Sequence, residues 1–309
     1  MTFLQKTIRN ATALFSDELW TLDTSQSKRS WKKVVRFVKL VRITLSTFME
    51  NRLGFQCVSL SYFVTLALVP LLAFIFAITD GLGLSDRIIP LLYNILPSNP
   101  EIIDMLADKA GNIIDTAKSG AVGLISALTF LWAVIWMMFQ TERVFNNVWG
   151  IRKIPRKMYK RFSYYLIILI IMPFIFLAFS FGIAFQTNLA GLLKIDLSEL
   201  RFLTRLLGWV AGYALCVGTF SAMYKWIPSP KIRYISALKA SLVSGLVFVG
   251  FQYLYLQTQV FVTRLNAVYG VLAAVPLFLI WLNFSWQIII YGAVLTYSYE
   301  NVDTYGLSE

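Results

Sequence analysis

The chain has 309 residues, of which 58% are hydrophobic and only 14% are charged, and its formal net charge is +12. A typical soluble domain has about 25% charged residues, so this composition argues against a soluble protein and favours one that faces lipid. The sequence contains no histidine, which removes the commonest metal ligand and the usual general base at neutral pH. We therefore predict no enzymatic activity, no catalytic residues, no metal site and no cofactor.

Residues 1–54 form a polar segment that contains ten Lys and Arg residues. This segment lacks the uncharged apolar core of a signal peptide, so we expect the first spanning helix to direct insertion. Between Trp31 and Phe48, apolar residues alternate with basic ones at helical spacing. The pattern predicts a basic amphipathic helix at the cytoplasmic side, which either lies on the membrane surface or packs beneath the protein itself.

Six apolar stretches follow, each of about 20 residues or more and therefore long enough to cross a bilayer. They lie near 55–78, 120–140, 164–186, 203–224, 236–258 and 269–297. We predict an all-α fold, in which a polytopic six-transmembrane-helix bundle occupies residues 55–298 and a cytoplasmic tail occupies 299–309. Pro70, Pro173 and Pro276 are expected to kink three of these helices.

The longest predicted external connection covers residues 79–119. Its apolar residues recur at helical spacing, and Asp104, Asp108 and Asp115 line an opposing polar face. This pattern predicts two short amphipathic helices at the outer surface of the membrane or dipping into the bundle.

The distribution of basic residues predicts the orientation of the bundle. The five connections between spans contain three, seven, two, three and one Lys or Arg residues in chain order. Basic residues are enriched in cytoplasmic loops, so the alternation places both termini in the cytoplasm.

Polar side chains within the spans are the candidates for a functional site, because hydrocarbon penalises polar groups that lack partners. Asn283 and Gln287 are four residues apart and share one face of the last span. The full candidate cavity comprises Ser59, Ser61, Tyr62, Thr65, Gln252, Asn283 and Gln287. Two interpretations remain open: a path for a substrate, or interhelical hydrogen bonds that hold the bundle together.

Glu142 and Asn146 lie four residues apart just below the second span, and Arg143 follows Glu142. We expect a helix-end ion pair at this position, and the alternative is a lock on the inner loop. Cys57 and Cys216 both lie in apolar segments, which indicates packing residues with no disulfide framework.

Four motifs in order resemble the YihY/BrkB family of bacterial membrane proteins. They are SLSYFVTLALVPL at 59–71, FNNVWG at 145–150, YKWIP at 224–228 and YGVLAAVP at 269–276. Trp281 and the Gly292–Ala293 pair extend the likeness through the last span. The family usually has an acidic residue after that pair, whereas this chain has Val294, so a role for a charge there does not transfer.

The resemblance implies a six-helix protein of the bacterial inner membrane. The family is usually described as transporter-like or as an envelope-associated virulence factor, and an older label tied some members to ribonuclease BN. The sequence favours a transporter-like or channel-like protein for a lipid, amphiphile or small solute, and the alternative is a non-transporting scaffold or envelope-integrity protein. Scattered acids and the missing histidine disfavour the ribonuclease.

The expected partners are membrane lipids, with anionic headgroups at the cytoplasmic face. The basic residues are explained by topology, so we expect no nucleic acid. A homo-oligomer is left open.

Overall fold

In a computed structural model of the chain, the described residues are 29–81, 120–151, 161, 201–263 and 267–305. These residues form six α-helices and no strand. The helices are α1 (Arg29–Glu50), α2 (Leu53–Gly81), α3 (Gly120–Val148), α4 (Arg201–Trp226), α5 (Tyr234–Thr263) and α6 (Ala267–Asn301). The predicted all-α fold is confirmed for this part of the chain.

Five predicted spans each lie inside one helix, from α2 to α6. Four of these helices extend beyond both predicted ends, and α3 begins at the predicted residue 120 and extends beyond the other end. Pro70 and Pro276 lie within α2 and α6, which are each continuous through the proline. The predicted span at 164–186 with Pro173, and residues 82–119 of the predicted external segment, lie outside the described residues.

Two helical segments of the described chain are long and apolar enough to cross a membrane. They are Tyr234–Thr258 in α5 and Val275–Asn301 in α6, each with a mean hydropathy of 1.6. A length of 25 or 27 residues spans about 30 Å of hydrocarbon with some tilt.

The described chain divides into two units. The first unit contains Met1–Gln56, Glu142–Tyr253 and Gln287–Glu309, and the second contains Cys57–Thr141 and Leu254–Trp286. In the first unit, α1 packs along the C-terminal part of α6. Leu40 and Ile43 of α1 form a small apolar core with Val302, which directly follows α6, and Tyr297 and Tyr299 of α6 pack against it.

Polar and aromatic contacts fix α1 against α6. The hydroxyl groups of Thr44 and Ser298 are hydrogen-bonded at 2.9 Å. The rings of Phe48 and Tyr291 stack with centroids 3.9 Å apart and planes 6° apart. The amphipathic helix predicted between Trp31 and Phe48 is therefore present, and one of its faces packs on the protein itself.

A tight turn separates α1 from α2. Arg52 adopts a positive φ of 49°, and its backbone N–H donates to the Met49 carbonyl at 3.0 Å. A residue other than glycine in this region costs about 1–2 kcal/mol, so the surrounding contacts must hold the turn.

A close approach of three helices completes the first unit. The hydroxyl of Tyr224 in α4 is hydrogen-bonded to that of Ser244 in α5 at 2.8 Å, and both are buried. Gly292 in α6 faces this pair so closely that a Cβ would overlap the Tyr224 hydroxyl. The Tyr213 hydroxyl also donates to the Leu242 carbonyl at 2.8 Å. The glycine lets α6 contact the other two helices without a gap.

The second unit contains residues of α2, α3, α5 and α6. Gln140 Nε2 donates to Ser59 Oγ at 3.3 Å and joins α3 to α2. The rings of Tyr255 and Trp281 stack with centroids 5.4 Å apart and join α5 to α6.

Candidate functional site

A buried ion pair lies near the C-terminal end of α3. Glu142 Oε2 accepts a hydrogen bond from Arg161 Nε at 2.6 Å, and only 2% of the Glu142 side chain is exposed. A charge this well buried is costly unless it is paired. The helix-end ion pair expected at Glu142 is therefore present, with a cation 19 residues further along the chain. Arg143, the neighbour in sequence, is exposed.

Asn146, one turn after Glu142, is fully buried and bonds in two directions. Its Nδ2 donates to the Glu142 carbonyl at 2.8 Å, and its Oδ1 accepts from the backbone N–H of Ser229 at 2.9 Å. The Asn146 carbonyl also accepts from the backbone N–H of Ile151 at 3.1 Å. One amide side chain thus fastens the end of α3 to the connection between α4 and α5.

Asn147 extends the same polar group towards the turn after α1. Its Nδ2 donates to the Asn51 carbonyl at 3.3 Å, and Gln56 Nε2 donates to the same carbonyl at 3.0 Å. These two bonds hold the turn that contains the strained Arg52. Together these residues form the polar cluster, which comprises Asn51, Glu142, Asn146, Asn147, Arg161 and Ser229.

The connection that carries Ser229 is fixed at other points as well. Arg233 Nε donates to Glu300 Oε2 at 3.1 Å, and the Arg233 backbone N–H donates to Glu300 Oε1 at 3.2 Å. Lys225 donates to the Ile232 carbonyl. The end of α6 and the last turn of α4 therefore hold the same short connection that Asn146 binds.

The chemistry of the polar cluster is that of a structural lock. Its carboxylate is neutralised by a guanidinium, and its amides are used by backbone groups. Among the residues that the structure describes, no three His, Cys, Asp or Glu side chains come together as metal ligands would. The sequence predicted Glu142 and Asn146, but it did not indicate Arg161 or Ser229. The only signal was the density of basic residues in the connection after α3.

The predicted cavity residues of α2 form mostly local contacts. Ser61 Oγ donates to the Cys57 carbonyl at 2.9 Å, and Thr65 Oγ1 donates to the Ser61 carbonyl at 2.9 Å. Ser59 accepts from Gln140, and Tyr62 is 61% exposed. The hydroxyl groups of Ser61 and Thr65 thus serve their own helix, as expected for such groups in an apolar environment.

The three predicted amides lie on the two most apolar helices. Gln252 in α5 and Asn283 and Gln287 in α6 are all half-buried. Gln252 and Gln287 belong to the first unit, and Asn283 belongs to the second. A common cavity formed by these amides and the residues of α2 stays a prediction.

The helical fold, the apolar segments of α5 and α6, and the comparisons with other proteins define a bacterial membrane protein. A family model described as "Virulence factor BrkB" matches residues 44–308. The chain belongs to this family. The YihY/BrkB resemblance of the sequence motifs is thereby confirmed.

Curated relatives agree with this assignment. The chain is 27% identical over 84% of its length to a UPF0761 membrane protein of Aromatoleum aromaticum, of which the match covers 63%. It is 25% identical over 83% of its length to a UPF0761 membrane protein of Actinobacillus pleuropneumoniae, of which the match covers 91%. A relative from Azoarcus sp. is 30% identical over 83% of the chain, and the match covers 62% of that protein.

The chain thus spans less than two thirds of the Aromatoleum and Azoarcus relatives. No solved structure matches it.

Proposed function

We propose that the protein is a transporter-like or channel-like membrane protein for a lipid, an amphiphile or a small solute. The observation that carries this proposal is the placement of three half-buried amides, Gln252, Asn283 and Gln287, on helices apolar enough to cross a membrane. Polar side chains are expensive in hydrocarbon, so a membrane helix that keeps them in its middle commonly uses them along a polar path.

The amides suit a neutral or zwitterionic substrate better than a proton relay. An amide offers donors and an acceptor but no titratable proton. We also propose that the protein is not an enzyme and acts at the bacterial inner membrane with six spans and cytoplasmic termini.

Reconstituted liposomes test the proposal. Efflux of trapped solutes and exchange of labelled lipids between leaflets would be measured for the native protein and for Asn283→Leu combined with Gln287→Leu. We expect a flux that the double variant abolishes. Phe284→Leu changes an exposed neighbour on the same helix and should leave the flux intact. A native protein that moves none of these solutes or lipids would contradict the proposal.

A second candidate function, a non-transporting scaffold or envelope-integrity protein with a virulence role, is favoured by the polar cluster. That cluster fastens the end of α3 to the turn after α1 and to the connection between α4 and α5. Bonds between these three segments oppose their relative movement, which a scaffold protein does not need. The flux assay separates the two functions, because a scaffold gives an envelope phenotype without any flux.

A further inference from the structure

Helix α1 carries two apolar faces. One face is buried against the C-terminal part of α6 through Leu40 and Ile43. The other face carries five exposed apolar residues, Val34, Phe37, Val41, Leu45 and Met49. These five residues are spaced by three and four positions, so they line one side of the helix, and we call them the outer stripe.

The outer stripe is unusually apolar for a surface that faces water. Phe37 is 66% exposed and Met49 is 68% exposed, and the stripe runs for more than four turns. Contiguous exposed apolar patches of this kind mark a binding surface. The helix that carries it is otherwise basic, so an ordinary solvated helix does not account for it.

Cations border the outer stripe on both sides. On a helical projection, Lys33 and Arg42 fall at its two edges, while Lys39 lies further round towards the buried face. Apolar residues flanked by Lys and Arg are the pattern of a helix that lies in the headgroup region of an anionic membrane. The charge selects an anionic lipid surface over a neutral one.

The position of α1 in the chain agrees with a membrane surface. Only residues 51 and 52 separate α1 from α2, which begins the first predicted span. Three Cα–Cα steps reach about 11 Å at most, so the end of α1 cannot lie far from the point where α2 starts. Phe55 in the first turns of α2 is also strongly exposed and extends apolar surface beyond the turn.

We propose that the outer stripe of α1 lies in the interface of an anionic lipid leaflet, while the opposite face of α1 holds the end of α6. The helix would then lie in the headgroup region, and the Asn51 carbonyl directly after it would connect it to the rest of the polar cluster. The inference requires membrane insertion of the protein but does not depend on transport. It also unites the two alternatives predicted for this segment, since one face packs on the protein and the other faces lipid.

The depth of single probes tests this proposal in the full chain. Cys57→Ala and Cys216→Ala remove the native thiols, and Phe37→Cys or Met49→Cys then carries a fluorophore on the outer stripe. Glu50→Cys is the matched control, since Glu50 is exposed but lies off the stripe. The protein is reconstituted in phosphatidylcholine vesicles with and without phosphatidylglycerol.

A nitroxide on the lipid chains should quench the probes at 37 and 49 several-fold more than the probe at 50, and aqueous iodide should show the reverse order. Equal quenching by iodide at all three positions would overturn the proposal. Protection from both quenchers, with energy transfer between labelled copies, would assign the stripe to a second copy of the chain and would also overturn it.

A second measurement tests whether the cations beside the outer stripe favour anionic lipid. Spin-labelled phosphatidylglycerol and phosphatidylcholine report the preference of the protein surface for anionic lipid. Lys33→Gln with Arg42→Gln should lower this preference about fivefold per cation removed. Arg143→Gln with Lys231→Gln removes the same charge at exposed sites outside α1 and should change it less. An equal loss in both double variants would contradict the assignment to α1. Absence of flux in the native protein, with probe depths as expected for the outer stripe, would overturn the transport proposal alone.

Discussion

Glu142 and Arg161 form a 2.6 Å ion pair in which the carboxylate is almost completely buried. The pair of Arg36 and Asp303 has a separation of 3.4 Å, and most of both side chains is exposed. The two pairs allow a comparison within one protein, because the free energy lost when one partner is removed depends on how deeply the pair is buried.

Removal of one partner of the buried pair should be strongly destabilising. We expect Glu142→Gln to lower the free energy of unfolding by about 3–5 kcal/mol, because the guanidinium of Arg161 loses its countercharge. Arg36→Gln should cost about 0–1 kcal/mol, as expected for an exposed pair. Unfolding in mixed detergent micelles, followed by tryptophan fluorescence, measures both values. Equal losses for the two variants would show that burial of Glu142 has no energetic weight.

The close approach at Gly292 gives a second prediction. Gly292→Ala places a Cβ 2.7 Å from Ser244 Oγ and against the Tyr224 hydroxyl, so α6 must shift. We expect a loss of about 1–3 kcal/mol, the usual cost of overpacking. Gly218→Ala is the control, since nothing lies within 4 Å of the added Cβ. It should be neutral or stabilising by up to about 1 kcal/mol because alanine favours a helix. Thermal unfolding compares the two, and a stable Gly292→Ala protein would contradict the packing.

Two buried serines should respond in opposite directions. Ser244 is hydrogen-bonded to Tyr224, whereas Ser221 Oγ has no hydrogen-bond partner among the residues that the structure describes. Ser244→Ala should cost about 1–3 kcal/mol because it leaves the Tyr224 hydroxyl unsatisfied. Ser221→Ala removes an unsatisfied group and should be neutral or stabilising. The same unfolding assay decides this, and a destabilising Ser221→Ala would reveal a partner for its hydroxyl.

The predicted orientation has a direct test. A phosphatase reporter fused at residue 100 should be active, because that residue is predicted to be external, and one fused at residue 155 should be inactive. A fluorescent reporter that folds only in the cytoplasm should give the complementary result. The reverse pattern at either site would show that the number of spans or the orientation is wrong.

Hydropathy predicted where the helices lie but not where they end. The second span was predicted to stop at residue 140, whereas α3 continues to Val148. The added turns carry Glu142, Asn146 and Asn147, whose polarity indicates the end of an apolar stretch. Their side chains bond to Arg161, to the Ser229 backbone N–H and to the Asn51 carbonyl, respectively. Partners this distant in the chain leave no local pattern in a sequence.

The polar residues of α2 differ in exposure in a way that helical spacing does not indicate. The sequence places Tyr62 with Ser59 and Ser61, because all three lie in the first half of one predicted span. The structure leaves Tyr62 largely exposed and buries Ser61. Hydrophobicity is almost uniform around α2, so the sequence shows no contrast between the faces of this helix.

The proposed function requires that Gln287 of α6 faces a water-accessible path across the membrane. Accessibility of a cysteine tests it most directly. In a chain that carries Cys57→Ala and Cys216→Ala, Gln287→Cys should react in proteoliposomes with a small charged methanethiosulfonate reagent, and Phe284→Cys on the exposed side should not. Gln287→Cys that stays as unreactive as Phe284→Cys, in a folded protein, would contradict the claim.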